Sequence, residues 1–431
     1  MARKLIVFWL LLLLGNALVA QEAAHEEKEE AVRSIIEKKH ITLDDLFRLA
    51  ELSNPSISAA KNSVQAKSGR LRQMNLYPNP TLEAGIEDFS TSREGDRTEK
   101  VSIVQPLVLS GRLGAAADAA HAEREAALQT YYSIRRDVFR SIHLNWVDQL
   151  HFQDAMAEIE ELLRVAKRTL EIAQTRFDAR AAPESQVTKA LLEVFELELD
   201  EQQLIQGQRI VSAELSSLLG GESILLVQLA GSLAQTSISG DEVHSIALSK
   251  GHPALQSAQW NIDAALASVN EAKAARYPDL ELSFGYGRVR ALDESFLEFG
   301  LSLPLPIFDR KQGRLAETRS EAAVARDLAR LIASDLQVDL ETARQRYLTA
   351  SDQLNTLVDR IGPAAERGLT QAQNAYKVGR LSFLELIDAQ HTHADVRLRT
   401  LELKKDRLVA EAELMSLVGI GPYEMREETS K

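Results

Sequence analysis

Glu385 and Asp388, near the carboxyl end of the chain, are the first side chains whose types and spacing could do chemistry. A spacing of three places both carboxylates on one face of a predicted helix. Such pairs usually form a solvated polar face, and the spacing alone favours that interpretation. What the pair does therefore depends on where the fold places its helix.

Histidines come next, because imidazole is a common metal ligand. His391 and His393 point about 200° apart on a helix, unlike the i, i+4 pairs that bind metal. His143 and His151 are eight residues apart and can share a helix face, but no other ligand type joins them. We therefore predict no dedicated metal ligand and no cofactor.

The sequence lacks the motifs of catalytic sites. It has no nucleophile elbow, phosphate-binding loop or Cys/His zinc cluster, and it contains no cysteine. The net charge of -13 leaves no basic stripe to replace phosphate counterions. We therefore predict neither an enzyme nor a partner of nucleic acid.

The first 20 residues have the features of an export signal. Two basic residues precede an apolar run from Leu5 to Leu14, and small residues follow up to Ala20. The run is too short to span about 30 Å of hydrocarbon. We predict a signal peptide at 1–20 and a charged lead-in at 21–40, with no N-terminal lipid because cysteine is absent.

The rest of the chain contains one unit twice. Prolines and glycines keep their register between the copies at an offset of 198 or 199 residues: Asn54-Pro55 with His252-Pro253, Pro80 with Pro278, and Gly220 with Gly419. Chance similarity of helix-rich sequences would not preserve these positions. We predict repeats at 41–221 and 238–420, a linker at 222–237 and a tail at 421–431.

Both repeats have the same predicted elements. A capping box opens each one, Thr42 with Asp45 and Ser239 with Glu242, and a proline-started helix follows. Strands are predicted at about 80–89 and 99–109 in the first repeat, and at about 280–290 and 296–306 in the second. Helical hairpins at 112–219 and 314–418 close the repeats, with helices on the order of 100 Å long.

The predicted strands are the segments that could enter a membrane. Leu282, Phe284 and Tyr286 alternate with small or polar residues, which gives one apolar and one polar face. A hairpin of a soluble sandwich has the same pattern. Four strands cannot close a membrane barrel, since the smallest have about eight. A membrane interpretation therefore requires several chains.

In this order the motifs resemble those of the TolC family of outer-membrane efflux proteins. The resemblance covers Ile41 to Gly421. It is carried by Tyr77-Pro78-Asn79-Pro80, Gln105-Pro106-Leu107, Leu303-Pro304-Leu305-Pro306-Ile307-Phe308-Asp309-Arg310 and Tyr376-Lys377-Val378-Gly379. The Pro-Asn-Pro and Leu-Pro-Leu-Pro segments are most similar to the cation-efflux branch, which works with metal-exporting pumps of the resistance-nodulation-division type.

The resemblance implies a mainly α fold with a small β part. Helical hairpins would form a periplasmic α-barrel, and a homotrimer would share a twelve-stranded β-barrel in outer-membrane lipid, with four strands from each chain. The implied partners are a periplasmic adaptor (membrane fusion protein) and an inner-membrane pump. The expected function is a passive exit duct for divalent heavy-metal cations.

Individual residues receive roles from the same resemblance. Glu385 and Asp388 match the acidic ring of the channel entrance, whereas Gln186 and Lys189 occupy the equivalent positions in the first repeat. Tyr376 matches the gate tyrosine. The adaptor-docking tips are expected at Val378, Gly379, Arg380, Leu381 and Ser382, and at Arg176, Ala181, Ala182 and Ser185.

The first tip departs from the family pattern, because Arg180 replaces the glycine and Pro183 replaces the serine. A plain turn between helices is the alternative for both tips. Two other functions stay open: multidrug efflux or type I protein secretion by the same architecture, and a periplasmic coiled-coil scaffold or adaptor. The latter should have one hairpin and soluble β-modules.

Overall fold

A computed structural model describes residues 30–36, 38, 40–87, 97–221, 229, 231, 233, 251–290, 292–419 and 423. The predicted signal peptide, the second capping box (Ser239 and Glu242) and most of the predicted linker and tail lie outside these residues. None of the described helices combines the length and the apolar character needed to cross a membrane.

Long helices make up most of the described chain. The helices are α1 (Leu43–Ser53), α2 (Pro55–Met74), α3 (Arg112–Asp178), α4 (Glu184–Leu218), α5 (Pro253–Ala274), α6 (Gln312–Thr356), α7 (Gly362–Lys377) and α8 (Phe383–Val418). The strands are β1 (Thr81–Glu87), β2 (Thr98–Leu107), β3 (Leu280–Val289) and β4 (Glu294–Ser302). The mainly α fold with a small β part is therefore confirmed.

The chain divides into two compact units. The helical unit comprises Met1–Ser58, Ile134–Ser249 and Leu336–Lys431. The sheet unit comprises Ala59–Ser133 and Lys250–Asp335. Each unit therefore draws segments from both halves of the sequence.

The sheet unit holds one antiparallel sheet with the strand order β1-β2-β3-β4. β2 pairs with β3 from the other half of the chain, with Ile103 opposite Phe284. The register also sets Phe284 opposite Phe299, so apolar residues of neighbouring strands share one face. This face is exposed in the chain: Leu82 is 70% exposed and Phe299 is 75% exposed. It does not cover a core of the described chain.

β4 ends at Ser302, before the predicted end near residue 306. Pro304 and Pro306 follow, and proline has no N–H to donate to a neighbouring strand. The alternation of Leu303 and Leu305 therefore continues beyond the paired strand. The predicted hairpin helix of the second repeat is also interrupted, by a π-helical turn at Leu357–Ile361 just before Pro363.

In the helical unit, the start of α2 is tied to the end of α4. The capping box of α1 is confirmed, with Thr42 and Asp45 bonded reciprocally. Asn54 Oδ1 accepts from the Ser56 N–H at 2.8 Å, and Asn54 Nδ2 donates to the Leu218 carbonyl at 2.7 Å. Gly220 (φ 77°) is needed beside this junction, because a Cβ there would lie 2.4 Å from the Ser53 carbonyl oxygen.

Small and branched apolar side chains pack α3, α4 and α8 together in the helical unit. One cluster comprises Ile159, Leu163, Ala166, Val194 and Leu197, with Leu398 against it. A second comprises Ala173, Ala190, Phe383 and Ile387. The second cluster fixes the first turns of α4 and α8 against each other and so positions the candidate site.

Candidate functional site

The predicted acidic pair lies in the first turns of α8. Ser382 caps this helix: its Oγ donates to Glu385 Oε2 at 2.6 Å, and its N–H donates to the same oxygen at 2.9 Å. The Ser382 hydroxyl and N–H hold the pKa of Glu385 below its ordinary value, because they stabilise the charged carboxylate. Glu385 therefore has a structural role in the capping box and remains exposed, as does Asp388.

α4 and α8 enclose a cleft of about 530 Å³ beside this pair. The cleft is lined by Lys189, Leu192, Glu193, Glu196, Leu384, Glu385, Ile387, Asp388 and His391. The two predicted carboxylates thus share a surface with two that sequence reasoning missed, Glu193 and Glu196. Four carboxylates against one lysine and one histidine make the cleft attractive to cations.

His391 connects the two helices at this cleft. Its Nδ1 lies 3.5 Å from Glu193 Oε1, and its Nε2 lies 3.4 Å from Asp395 Oδ2. Burial lowers the pKa of His391, but Asp395 and Glu193 outweigh it, so the pKa is raised overall. Burial raises the pKa of Glu193, although His391 opposes that shift. Glu193, Glu196 and His391 are the candidate metal ligands of the site.

The other predicted histidine pair does not converge on a site. The His143 Nδ1 lies 2.8 Å from the Tyr423 hydroxyl, and burial lowers the pKa of His143 to about 4. Burial also lowers the pKa of His151. Both side chains are packed core histidines of the helical unit.

Tyr376, the predicted gate residue, contacts Arg176 of the other hairpin. Arg176 Nη1 donates to the Tyr376 hydroxyl, and the guanidinium carbon lies 5.4 Å from the centre of the ring. The centre of the Tyr376 ring also lies 6.0 Å from that of Phe383. The structure thus brings together two residues to which the resemblance gave separate roles, Tyr376 as the gate and Arg176 as a tip residue.

The two tips reverse the chain with the same backbone hydrogen bonds. In the second tip Gly379 has φ 73°, and the Arg380 N–H donates to the Ala375 carbonyl at 2.9 Å. In the first tip Arg180 has φ 55°, and the Ala181 N–H donates to the Arg176 carbonyl at 2.8 Å. Arg180 therefore adopts the left-handed conformation of its glycine counterpart.

The sequence contained only a weak signal for Glu193 and Glu196. Their spacing of three on α4 repeats that of Glu385 and Asp388 on α8. Like that pair, they look like a solvated helix face until the packing of α4 on α8 is known. The histidine at the cleft could not be assigned either, because its partner Glu193 lies on another helix.

Comparisons with known proteins support one family. The sequence pattern described as "Outer membrane efflux protein" matches residues 46–221 and 247–420. Its two segments confirm the two tandem repeats. This family consists of efflux proteins and not of enzymes, as the sequence predicted.

Two curated relatives cover most of the chain. The "Cobalt-zinc-cadmium resistance protein CzcC" of Cupriavidus metallidurans is 27% identical over 362 residues, covering 84% of this chain and 86% of the relative. The "Cation efflux system protein CusC" of Escherichia coli is 26% identical over 419 residues, covering 87% and 85%. Among solved structures, the outer membrane protein VceC of Vibrio cholerae matches with a TM-score of 0.73 at 18% identity, covering 88% of this chain and 96% of that one. At that identity the structural match shows the fold alone.

Proposed function

Because this chain belongs to the outer membrane efflux protein family, we propose that it is the passive exit duct of a tripartite pump for divalent heavy-metal cations. The observation that carries the cation assignment is the acidic cleft between α4 and α8, which Glu385 and Asp388 line together with Glu193 and Glu196. The name of the CzcC relative, a cobalt-zinc-cadmium resistance protein, supports the same cargo class.

In the proposed assembly three chains surround one channel. Their Glu385 and Asp388 side chains form an acidic ring at the channel entrance, which concentrates cations and repels anions. The exposure of both carboxylates supports this role, because a buried pair could not meet solvent in a pore. Gln186 and Lys189 at the equivalent positions of α4 make only alternate hairpins acidic at these positions.

The sheet supports the proposed membrane location. Its exposed apolar face would meet lipid, and its polar face, with Lys100 near Glu87 and Glu298, would meet water. Three such sheets supply the twelve strands of the shared barrel. The chain would reach the outer membrane after removal of its signal peptide and without a lipid anchor.

The tips and Tyr376 complete the proposed duct. Tyr376 latches the entrance through Arg176, since their contact joins the two hairpins of the chain. The tip residues receive the periplasmic adaptor, which connects the duct to an inner-membrane pump of the resistance-nodulation-division type. They are Val378, Gly379, Arg380, Leu381 and Ser382 in the second tip, and Arg176, Ala181, Ala182 and Ser185 in the first, all exposed or half-exposed. Energy for transport comes from that pump.

The cargo is tested by deleting the gene and comparing tolerance to zinc, cobalt, cadmium, copper and drugs. We expect tolerance to at least one divalent metal to fall and drug tolerance to persist. Loss of drug tolerance with unchanged metal tolerance would reject the cation duct in favour of multidrug efflux.

The acidic ring is tested in planar bilayers with the purified protein. The double variant Glu385→Ala and Asp388→Ala should lower cation selectivity and weaken block by multivalent cations. The control removes the same charge from two exposed carboxylates outside the cleft, Glu366→Ala and Glu402→Ala, and should leave selectivity unchanged. Equal selectivity in both double variants would remove the pair from the pore entrance, and absence of conducting pores would reject the duct.

A further inference from the structure

Glu193, Glu196 and His391 form a cluster of potential metal ligands on two helices. One ligand atom from each residue lies within 4.8 Å of those of the other two. Glu193 and Glu196 are one helical turn apart on α4, and His391 faces them from α8. Within the part of the chain that the structure describes, no other group of three or more such residues meets this condition.

The orientation of His391 is that of a metal-binding imidazole. Its Nδ1 faces Glu193, so this nitrogen is available on the side where the two glutamates converge. Its Nε2 faces the carboxylate of Asp395 at 3.4 Å. Histidine ligands commonly donate their second ring N–H to a carboxylate, which fixes the tautomer and makes the ligating nitrogen more basic. Asp395 is thus a positioning residue.

The charge balance of the cluster also favours a cation. Among the described residues, no lysine or arginine forms an ion pair with Glu193 or Glu196. The Glu193 side chain is only 13% exposed, and among the described residues its ion-pair partner is the His391 imidazole alone, so keeping this shielded carboxylate charged is costly. Lys189 lines the same cleft and is its one basic side chain other than His391. A divalent cation would neutralise the excess negative charge of the two glutamates.

We propose that Glu193, Glu196 and His391 bind a divalent transition-metal cation that bridges α4 and α8. One imidazole with two carboxylates suits Zn²⁺ or Co²⁺, whereas Mg²⁺ and Ca²⁺ prefer oxygen ligands alone. This inference goes beyond the exit duct, because an ion held between two helices is a component of the protein and not its cargo. It also differs from the Glu385 and Asp388 ring, which attracts cations without fixing them.

The test uses the full chain, purified in detergent, stripped with a chelator and titrated with ZnCl₂ in a calorimeter. We expect one saturable site per chain, weakened about tenfold or more by His391→Ala and by the double variant Glu193→Gln and Glu196→Gln. The matched control His393→Ala removes a histidine two residues away that points elsewhere, and it should bind like the wild type. Unchanged binding in His391→Ala, or no saturable site in the wild type, would overturn the proposal.

Two further readouts distinguish a metal site from a merely structural contact. Co²⁺ should give visible absorption bands that disappear in His391→Ala and persist in His393→Ala. Zn²⁺ should slow hydrogen exchange in both 190–200 and 386–396, because the ion joins both helices. Protection of only one segment would contradict a bridging ion. Because all readouts use the purified chain, their outcome is independent of which cargo the channel carries.

Discussion

The two helical tips, 176–185 and 375–384, reach the same backbone geometry with different residues. Both place one residue in the left-handed region, Arg180 in the first tip and Gly379 in the second. Both then close with an N–H that reaches back five residues to a helix carbonyl. The turn therefore does not require glycine, since the hydrogen bonds offset the strain of about 1 to 2 kcal/mol that a side chain adds there.

The tips differ in the chemistry that they present. The second tip leads into a capping box formed by Ser382 and Glu385, whereas Pro183 precedes α4 and makes no side-chain cap. Tyr376 offers a hydroxyl to Arg176, but Phe177 occupies its equivalent position in the first tip. The departures of the first tip from the family pattern thus change its surface and leave its backbone turn intact.

The largest expected effect on stability comes from substituting the residue with positive φ in the second tip. Gly379→Ala should destabilise the second tip by about 1 to 2 kcal/mol, because it adds a Cβ to a backbone with positive φ. Arg180→Ala should change the first tip by less than about 0.5 kcal/mol, because that strain is already present. Hydrogen exchange of the Arg380 and Ala181 amides measures both. Equal losses of protection would contradict the strain explanation, because only Gly379→Ala adds a Cβ at positive φ.

The Ser382 cap of α8 should contribute somewhat less to stability than Gly379. Ser382→Ala removes the hydroxyl that accepts from the Glu385 N–H and should cost about 1 kcal/mol. Ser185→Ala removes a hydroxyl from the start of α4, where the cap makes no side-chain bond, and should be nearly neutral. Thermal unfolding and exchange in the first turns of α4 and α8 compare them. A neutral Ser382→Ala would contradict the capping box.

The Tyr376 hydroxyl is expected to contribute about 0.5 to 1.5 kcal/mol. Tyr376→Phe removes its bond with Arg176 and keeps the ring beside Phe383. The reciprocal variant Phe177→Tyr should gain nothing, because Ala375, at the position equivalent to Arg176, has no side-chain donor. Unfolding measurements on both variants test the difference, and an equal change in both would reject the Arg176 latch.

The smallest expected effect is a pH dependence of stability that is confined to the second tip. The pKa of Glu385 is lowered by Ser382, so the contribution of its carboxylate is fully present above the ordinary pKa of glutamate. It is lost as the pH falls through the lowered pKa. Carbon-13 shifts of the Glu385 carboxyl should show the low pKa and its rise toward the ordinary value in Ser382→Ala, which keeps the backbone N–H bond but loses the hydroxyl.

Gln186, equivalent to Glu385, does not titrate and makes the first tip the internal control for this pH dependence. Its N–H donates to the Pro183 carbonyl at 3.1 Å, a backbone bond that acid does not affect. Acid-induced opening at both tips would show that Glu385 is not the responsible group.

Much of the fold followed from local patterns. Alternation predicted the four strands, and β3 begins at Leu280 as expected. The capping box at Thr42 is confirmed, and Gly220 and Gly419, which follow the last helix of each repeat, both have positive φ. These features depend on the backbone preferences and hydrogen bonds of a few neighbouring residues. The early end of β4 at Ser302 shows the limit, since side-chain alternation says nothing of the missing N–H groups at Pro304 and Pro306.

The sequence by itself determined the repeated unit, the long helices, the two-faced strands and the residues offered at each tip. Only the tertiary structure decided which of them meet: β2 with β3, Arg176 with Tyr376, and His391 with Glu193. Those contacts join residues about 180 to 200 positions apart, whereas helix and strand periodicity acts over a few residues. Packing of α3, α4 and α8 therefore had to bring the acidic cleft together before its chemistry could be recognised.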